Sequence, residues 1–170
     1  MVADDNNNNN GKRHASVAEA TPALYRFVLS SYEPFFAISG ALMATFSSES
    51  YVVTMSRGSI TYSPEHAFVY TTLGGAFVLF AFLLVVVLRV VDDVRSYRAI
   101  IAGMLLMDVF YFTGAAQAVG GWRSFLNPAY WTVEDYFMNF TGWPPVLVRV
   151  LVLFGIGFTA SNGRASGKTA

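Results

Sequence analysis

The feature that most constrains the fold is a long uncharged run, AFVYTTLGGAFVLFAFLLVVVL, which occupies residues 67 to 88. A helix rises 1.5 Å per residue, so crossing a hydrocarbon core of about 30 Å takes roughly 20 apolar residues. The run reaches that length between His66 and Arg89. A helix that is apolar on every side is typical of a membrane span, and a soluble bundle is a poor alternative. We therefore expect this segment to cross a lipid bilayer.

Three further apolar segments predict an all-α integral membrane four-helix bundle. The composition agrees, because 13% of the residues are charged and soluble domains carry roughly 25%. The predicted transmembrane domain covers residues 22–161, with spans at about 24–46, 67–88, 99–121 and 143–160. The flanking segments, 1–21 with a run of asparagines and 162–170, are predicted to be a disordered polar tail and a cytosolic tail.

Arginine and lysine predict the orientation of these spans. With four spans, the two tails and the second loop share one side of the membrane, and that side holds Lys12, Arg13, Arg89, Arg95, Arg98, Arg164 and Lys168. The first and third loops hold Arg57 and Arg123. Positive residues favour the cytoplasmic side, so both termini are predicted to be cytosolic. The polar N-terminus lacks the apolar core of a signal peptide, and we expect insertion in the endoplasmic reticulum through the first span.

The third loop, about residues 123–142, is dense in aromatic residues and reads RSFLNPAYWTVEDYFMNFTG. Aromatic side chains favour the headgroup level of a membrane. We expect a short interfacial helix at about 132–139, with Trp131 as a candidate substrate-binding residue; an ordinary aromatic belt is the alternative. The sequon Asn139-Phe140-Thr141 lies on the predicted lumenal side, so Asn139 is a candidate glycosylation site.

Three charged residues fall inside the predicted spans. Glu33 and Asp108 lie near the midplane, and Arg149 lies in the outer third. A charge at the bilayer centre costs about 2.5 to 3.5 kcal/mol on insertion scales, so such side chains face the bundle interior and find partners. We predict that Arg149 pairs with Glu33 and that Asp108 lies nearby. Two carboxylates and one guanidinium would leave a surplus negative charge.

Proline next to the buried glutamate indicates a break in the first helix. Pro34 cannot donate a backbone hydrogen bond to residue 30, so the helix is predicted to kink near Ser30. One interpretation is a cavity with Glu33 on its wall, and Tyr111, one turn beyond Asp108, would extend its polar surface. The other is a structural Glu33–Arg149 or Glu33–Tyr pair that only fixes helix packing.

The composition also excludes several chemistries. The chain has no cysteine, so disulfides and thiolate sites are excluded, and its net charge of zero argues against nucleic acid as a partner. Only two histidines are present, without HExxH spacing, and no metal or cofactor is expected. The chemistry that is left is proton transfer by carboxylates or polar recognition of a lipid-soluble molecule.

The pattern resembles the DUF7704 family of small fungal integral membrane proteins, over about residues 22 to 160. The matching features are Leu24-Tyr25-Arg26, Tyr32-Glu33-Pro34, Ser39-Gly40-Ala41, Ser50-Tyr51, Tyr97-Arg98, Asp108 and Arg149. The resemblance implies four helices and a fungal source, with some members lying near natural-product gene clusters. It implies no established activity.

Two functions are open at this stage. The first is a multi-pass membrane protein that binds a lipid, a hydrophobic metabolite or a partner in a polar intramembrane cavity. The second is a membrane-embedded accessory enzyme of fungal secondary metabolism, isomerase-like or cyclase-like. Glu33 and Asp108 would then be catalytic acids or bases, and Arg149, Tyr111 and Trp131 would bind substrate. A transporter is disfavoured, because four short helices make a small pore unless the protein forms a homo-oligomer.

Overall fold

The computed structural model describes residues 17–157, and every regular element in this range is helical. The all-α class is thus confirmed. In chain order the elements are α1 (Val17–Ala20), α2 (Ala23–Phe46), α3 (Ser48–Ser56), α4 (Pro64–Val90), α5 (Val94–Ala118), α6 (Trp122–Leu126) and α7 (Val133–Leu153). Most of the predicted disordered tail and all of the predicted cytosolic tail lie outside the described residues.

Three helices, α2, α4 and α5, are long and apolar enough to cross a membrane. The first two match the predicted spans closely, whereas α5 begins several residues earlier than predicted. Asp93 causes this early start, because its side chain caps the helix and accepts a 2.7 Å hydrogen bond from the backbone N–H of Ser96. The same bond lowers the pKa of the Asp93 carboxyl.

Helix α7 differs from the prediction. The expected interfacial helix at 132–139 and the expected fourth span at 143–160 form one continuous helix, Val133–Leu153, and α7 is not among the three candidate spans. The helix starts at Thr132, whose hydroxyl accepts from the Asp135 backbone while the Asp135 carboxylate accepts from the Thr132 backbone. This capping box satisfies two free N–H groups and begins the helix inside the predicted loop. Residues 158–160 of the predicted span lie outside the described part.

Helices α2 and α4 form a closely packed antiparallel pair. A Cβ atom added at Gly74 of α4 would overlap the hydroxyl of Thr45 and lie 3.1 Å from the Ala41 carbonyl oxygen, so the two backbones meet where a side chain is absent. On the other side of the bundle, α5 and α7 pack together. A Cβ at Gly142 of α7 would lie 2.8 Å from the Phe112 ring of α5.

The connection between α2 and α4 contains a helix, α3, where the sequence suggested only a loop. Arg57 follows α3 with a φ of 53° and reaches across to the third connection. Its guanidinium donates to Asp135 at 2.7 Å and to the Ser124 hydroxyl at 2.9 Å. Arg57 therefore ties the end of α3 to α6 by a hydrogen bond and to the start of α7 by an ion pair.

Candidate functional site

The centre of the candidate site is the guanidinium of Arg149, which is fully buried on α7. Nη1 donates to the Asp108 carboxylate of α5 at 2.5 Å, and Nη2 donates to Oε1 of Glu33 on α2. The Phe80 ring of α4 covers the same guanidinium, with its centroid 4.8 Å from the Arg149 Cζ. Four helices therefore contribute one side chain each, and the structure shows the predicted contacts among the three charged residues.

The backbone around Glu33 explains how that carboxylate reaches the interior. Residues Val28–Tyr32 form a π-helical turn, and the Glu33 N–H donates to the Val28 carbonyl, five residues back. Pro34 offers no N–H to the Ser30 carbonyl, and the wider turn accommodates that loss at the position where the sequence predicted a kink. The Ser30 hydroxyl donates to the Arg26 carbonyl at 2.6 Å.

In α7, close to Arg149, a hydrogen bond from another helix replaces a backbone hydrogen bond that a proline removes. Pro144 removes the donor that the Phe140 carbonyl would normally receive in a helix. The hydroxyl of Tyr32, one residue before Glu33, donates to that carbonyl at 3.1 Å. The π-turn of α2 and the proline segment of α7 are therefore joined by a hydrogen bond between the two helices.

Two buried polar atoms in the site have no hydrogen-bond partner among the described residues. They are Oε2 of Glu33 and Nε of Arg149. Glu33 is only 8% exposed, so its second oxygen receives little help from the surface. A buried polar atom left unpaired costs about 1–3 kcal/mol, and a site that keeps one is a candidate for binding a ligand. With two acids and one base, the site favours a donor or a positive charge at Glu33.

Glu33, Asp108 and Arg149 lie on the wall of a cavity of about 150 Å³ between the helices. This volume is well above the roughly 15 Å³ that one water molecule needs. The remaining wall is mostly apolar or aromatic, with Phe36, Phe77, Phe80, Met107, Tyr111 and Phe112. Tyr111 lies in that wall as predicted, and its ring meets Phe77 and Phe112 edge to face. A small polar group surrounded by apolar atoms fits such a space. We call this the head cavity.

The structure does not bring Trp131 to the head cavity. Its indole N–H donates to the Phe125 carbonyl at 2.7 Å, and its ring packs against Tyr136. The partly buried indole nitrogen finds its partner within the third connection, which fixes the ring there. The prediction of a substrate contact for Trp131 thus has no support in this geometry.

The sequon residue Asn139 lies in the middle of α7 and is 5% exposed. Its amide nitrogen donates to the Asp135 carbonyl at 2.9 Å, and its amide oxygen accepts from the Trp143 indole at 2.9 Å. Glycosylation needs an accessible amide on the surface. In the folded structure, the Asn139 amide is not accessible for glycosylation.

Sequence reasoning missed the four phenylalanines of the site, Phe36, Phe77, Phe80 and Phe112. Phe80 lies inside the uncharged run, where its neighbour Phe82 is 51% exposed, so composition alone does not separate the two. The available signal was helical spacing, because Phe77, Phe80 and Leu84 recur at intervals of three and four residues and share one face. For metals, the described residues contain no group of three or more His, Cys, Asp or Glu side chains that could hold an ion.

The fold and site define an all-α protein with three helices long and apolar enough to span a membrane and with a buried three-charge cluster. The chain belongs to the family described as "Domain of unknown function (DUF7704)", whose sequence profile matches residues 18–158. This match confirms the family that the motifs suggested. Comparisons with curated proteins and with solved structures found no match.

Proposed function

We propose that this protein is a multi-pass membrane protein that binds a lipid-soluble molecule through a cationic head group in the head cavity. The observation that carries the proposal is the second oxygen of Glu33, which is buried, unpaired among the described residues and on the cavity wall. An ammonium group supplies both the hydrogen-bond donor and the positive charge that this oxygen lacks.

The aromatic wall supports the same class of ligand. The faces of aromatic rings attract cations within about 6 Å, and several rings converge on this cavity. Phe80 already covers the Arg149 guanidinium in this way. In the proposal, Glu33 binds the head group directly, Arg149 holds Glu33 in place, and Asp108 fixes the Arg149 guanidinium. Tyr111 forms part of the wall.

A second candidate function is acid–base catalysis on a bound hydrophobic metabolite, in the manner of an isomerase or cyclase. It is favoured by the presence of two carboxyl groups, Glu33 and Asp108, on one cavity of about 150 Å³ with a mostly apolar wall. The setting that the family resemblance suggested is fungal secondary metabolism. Profiling the metabolites of a deletion strain would test it, because an enzyme predicts an accumulating precursor and a binding protein predicts none.

The proposal includes a membrane arrangement with α7 as the fourth span and both termini cytosolic, in the endoplasmic reticulum. Arg149 supports it, because a fully buried arginine paired with two acids is compatible with passage through lipid. The arginine bias of the loops supports the orientation. Protease protection of terminal tags in sealed microsomes tests it: both tags should be digested, and protection of one alone would require an odd number of spans.

The binding proposal is tested with protein in lipid nanodiscs and tritiated octylamine, with empty nanodiscs as the background. Glu33→Gln keeps the shape and removes the charge, so octylamine should bind about tenfold more weakly or worse. The matched control is Glu49→Gln, the same substitution on an exposed residue of α3, which should bind as the wild type does. Equal binding by wild type and Glu33→Gln would refute the role of Glu33.

A further inference from the structure

The head cavity does not end at the charged residues. It adjoins a larger cavity of about 330 Å³, and the two share Tyr51, Met107 and Tyr111 as lining residues. The larger cavity lies toward the end of the bundle that carries α3. We call it the chain chamber.

We propose that the chain chamber holds the hydrocarbon chain of the ligand, which makes the ligand a single-chain amphiphile with a cationic head. This inference rests on the proposed function, because it takes the head group at Glu33 as given. It adds the ligand's shape, its direction in the bundle and its route of access.

The walls of the chain chamber suit a hydrocarbon chain. Three elements line it: α3 with Val52 and Met55, α4 with Leu73, and α5 with Ala115. Val52 and Ala115 are 5% and 2% exposed, so the floor is part of the protein interior. The one serine in the wall, Ser56, uses its hydroxyl to donate to the Val52 carbonyl at 2.7 Å, so it adds no free donor.

One face of α5 arranges the site in order from head to chain. Asp108, Tyr111, Ala115 and Ala118 follow each other at intervals of three and four residues and therefore share a face. The face begins with a carboxylate, continues with an aromatic ring and ends with small side chains. Larger side chains at the positions of Ala115 and Ala118 would fill this space. The two alanines leave it open, and the open space is the chain chamber.

The chamber opens toward lipid at Gly114. This glycine is exposed on α5, and a Cβ atom built on it meets no heavy atom within 4 Å. Phe110, one turn earlier and also lining the chamber, is 67% exposed. A molecule dissolved in the bilayer would therefore reach the head cavity sideways, past Gly114, without crossing the aqueous phase.

A second apolar groove leaves the head cavity in the opposite direction and provides the matched control. It measures about 360 Å³, shares Phe80 and Met107 with the head cavity, and includes Gly103. Residues of α4 and α5 alone line it, so it lacks the third wall that α3 gives to the chain chamber. Gly103 resembles Gly114 in being exposed on α5 with nothing within 4 Å of an added Cβ.

The experiment compares Gly114→Phe with Gly103→Phe, each in nanodiscs, using tritiated dodecylamine and tritiated butylamine as probes. A phenyl ring at position 114 fills the chain chamber, so dodecylamine binding should weaken about tenfold. Butylamine needs only the head cavity and should bind as it does to the wild type. Gly103→Phe should leave both probes unaffected. The experiment compares variants for each probe and does not compare the two probes with each other. A hydrocarbon chain that is already in lipid gains little free energy by moving into the protein.

Three outcomes would overturn the inference: unchanged dodecylamine binding to Gly114→Phe, equal loss of both probes, or a selective loss of dodecylamine in Gly103→Phe. The failure of the proposed function is distinct, since neither amine would then bind the wild type. If a variant misfolds, a measurement on the wild-type protein still tests the inference. Dodecylamine with a terminal diazirine should label residues 51–56 or 110–118 of the wild type, and labelling confined to 100–104 would contradict the chamber.

Discussion

Replacing Arg149 with methionine should destabilise the protein more than any other single change to the site. The side chain is fully buried and is the partner of both Glu33 and Asp108. Removing one member of a buried ion pair costs about 3–5 kcal/mol, because the remaining charge is left without compensation. Here two carboxylates lose the same cation, so we expect the upper part of that range. The total free energy of unfolding of a protein is about 5–15 kcal/mol, so this loss is about a third of it or more.

The matched control removes all three charges together, as Glu33→Met, Asp108→Leu and Arg149→Met. Replacing a buried charged triad by apolar residues of similar volume is often neutral or stabilising, by up to about 4 kcal/mol. The triple variant should therefore recover most of the stability that Arg149→Met loses. It should not recover octylamine binding, because Glu33 is gone.

The assay is unfolding in mixed micelles at rising mole fractions of sodium dodecyl sulfate, followed by circular dichroism and tryptophan fluorescence. Arg149→Met should unfold at a markedly lower fraction than the wild type, and the triple variant close to the wild type. Two results would refute the reasoning. One is an Arg149→Met protein within about 1 kcal/mol of the wild type, below the range for a broken buried pair. The other is a triple variant as unstable as the single one.

Three further predictions concern the third connection. Arg57→Met should lower the free energy of unfolding by about 2 kcal/mol, since it leaves the buried Asp135 without its charged donor; Arg123→Met, an exposed arginine on α6, is the control in the same unfolding assay. Thr132→Ala should cost about 1 kcal/mol by removing the cap of α7, with Thr132→Ser retaining most of it, and equal loss in both would contradict the capping role. Asn139→Gln should leave the gel mobility of protein from a eukaryotic host unchanged, and a faster band would show that a glycan is attached despite the buried amide.

Hydropathy predicted the existence of α2, α4 and α5 because each of them contains a stretch long and apolar enough to cross a membrane. The same method did not predict α7 as one helix, because polar residues are interspersed with aromatic ones between Glu134 and Trp143. The sequence held a better signal at the start of α7, because Thr132 is followed three residues later by an acid, in the pattern of a capping box. Local capping chemistry, and not hydropathy, determines where this helix begins.

The charged members of the site were predictable for an energetic reason. A charge inside a span has to find a partner, so Glu33, Asp108 and Arg149 could be placed together before any distance was known. No such requirement acts on aromatic residues. The indole N–H of Trp131 donates to a carbonyl within its own connection, and composition alone does not distinguish Phe80 from exposed neighbours such as Phe82. Which rings form the wall depends on how the helices pack, and composition does not show that.

The prolines give a further reason why the site lies where it does. Of the six prolines in the chain, the three inside long helices are Pro34, Pro144 and Pro145, and they lie on the two helices that supply Glu33 and Arg149. Each removes a backbone hydrogen bond, a loss that lipid cannot repair and that the protein has to offset internally. The π-turn before Glu33 and the Tyr32 bond to α7 provide that compensation. The Glu33 carboxylate therefore lies beside backbone that has left ideal helical geometry, whereas Arg149 lies on a continuous α-helix one turn after Pro145. In this chain, both charged residues lie within about one turn of an interior proline and both line the head cavity.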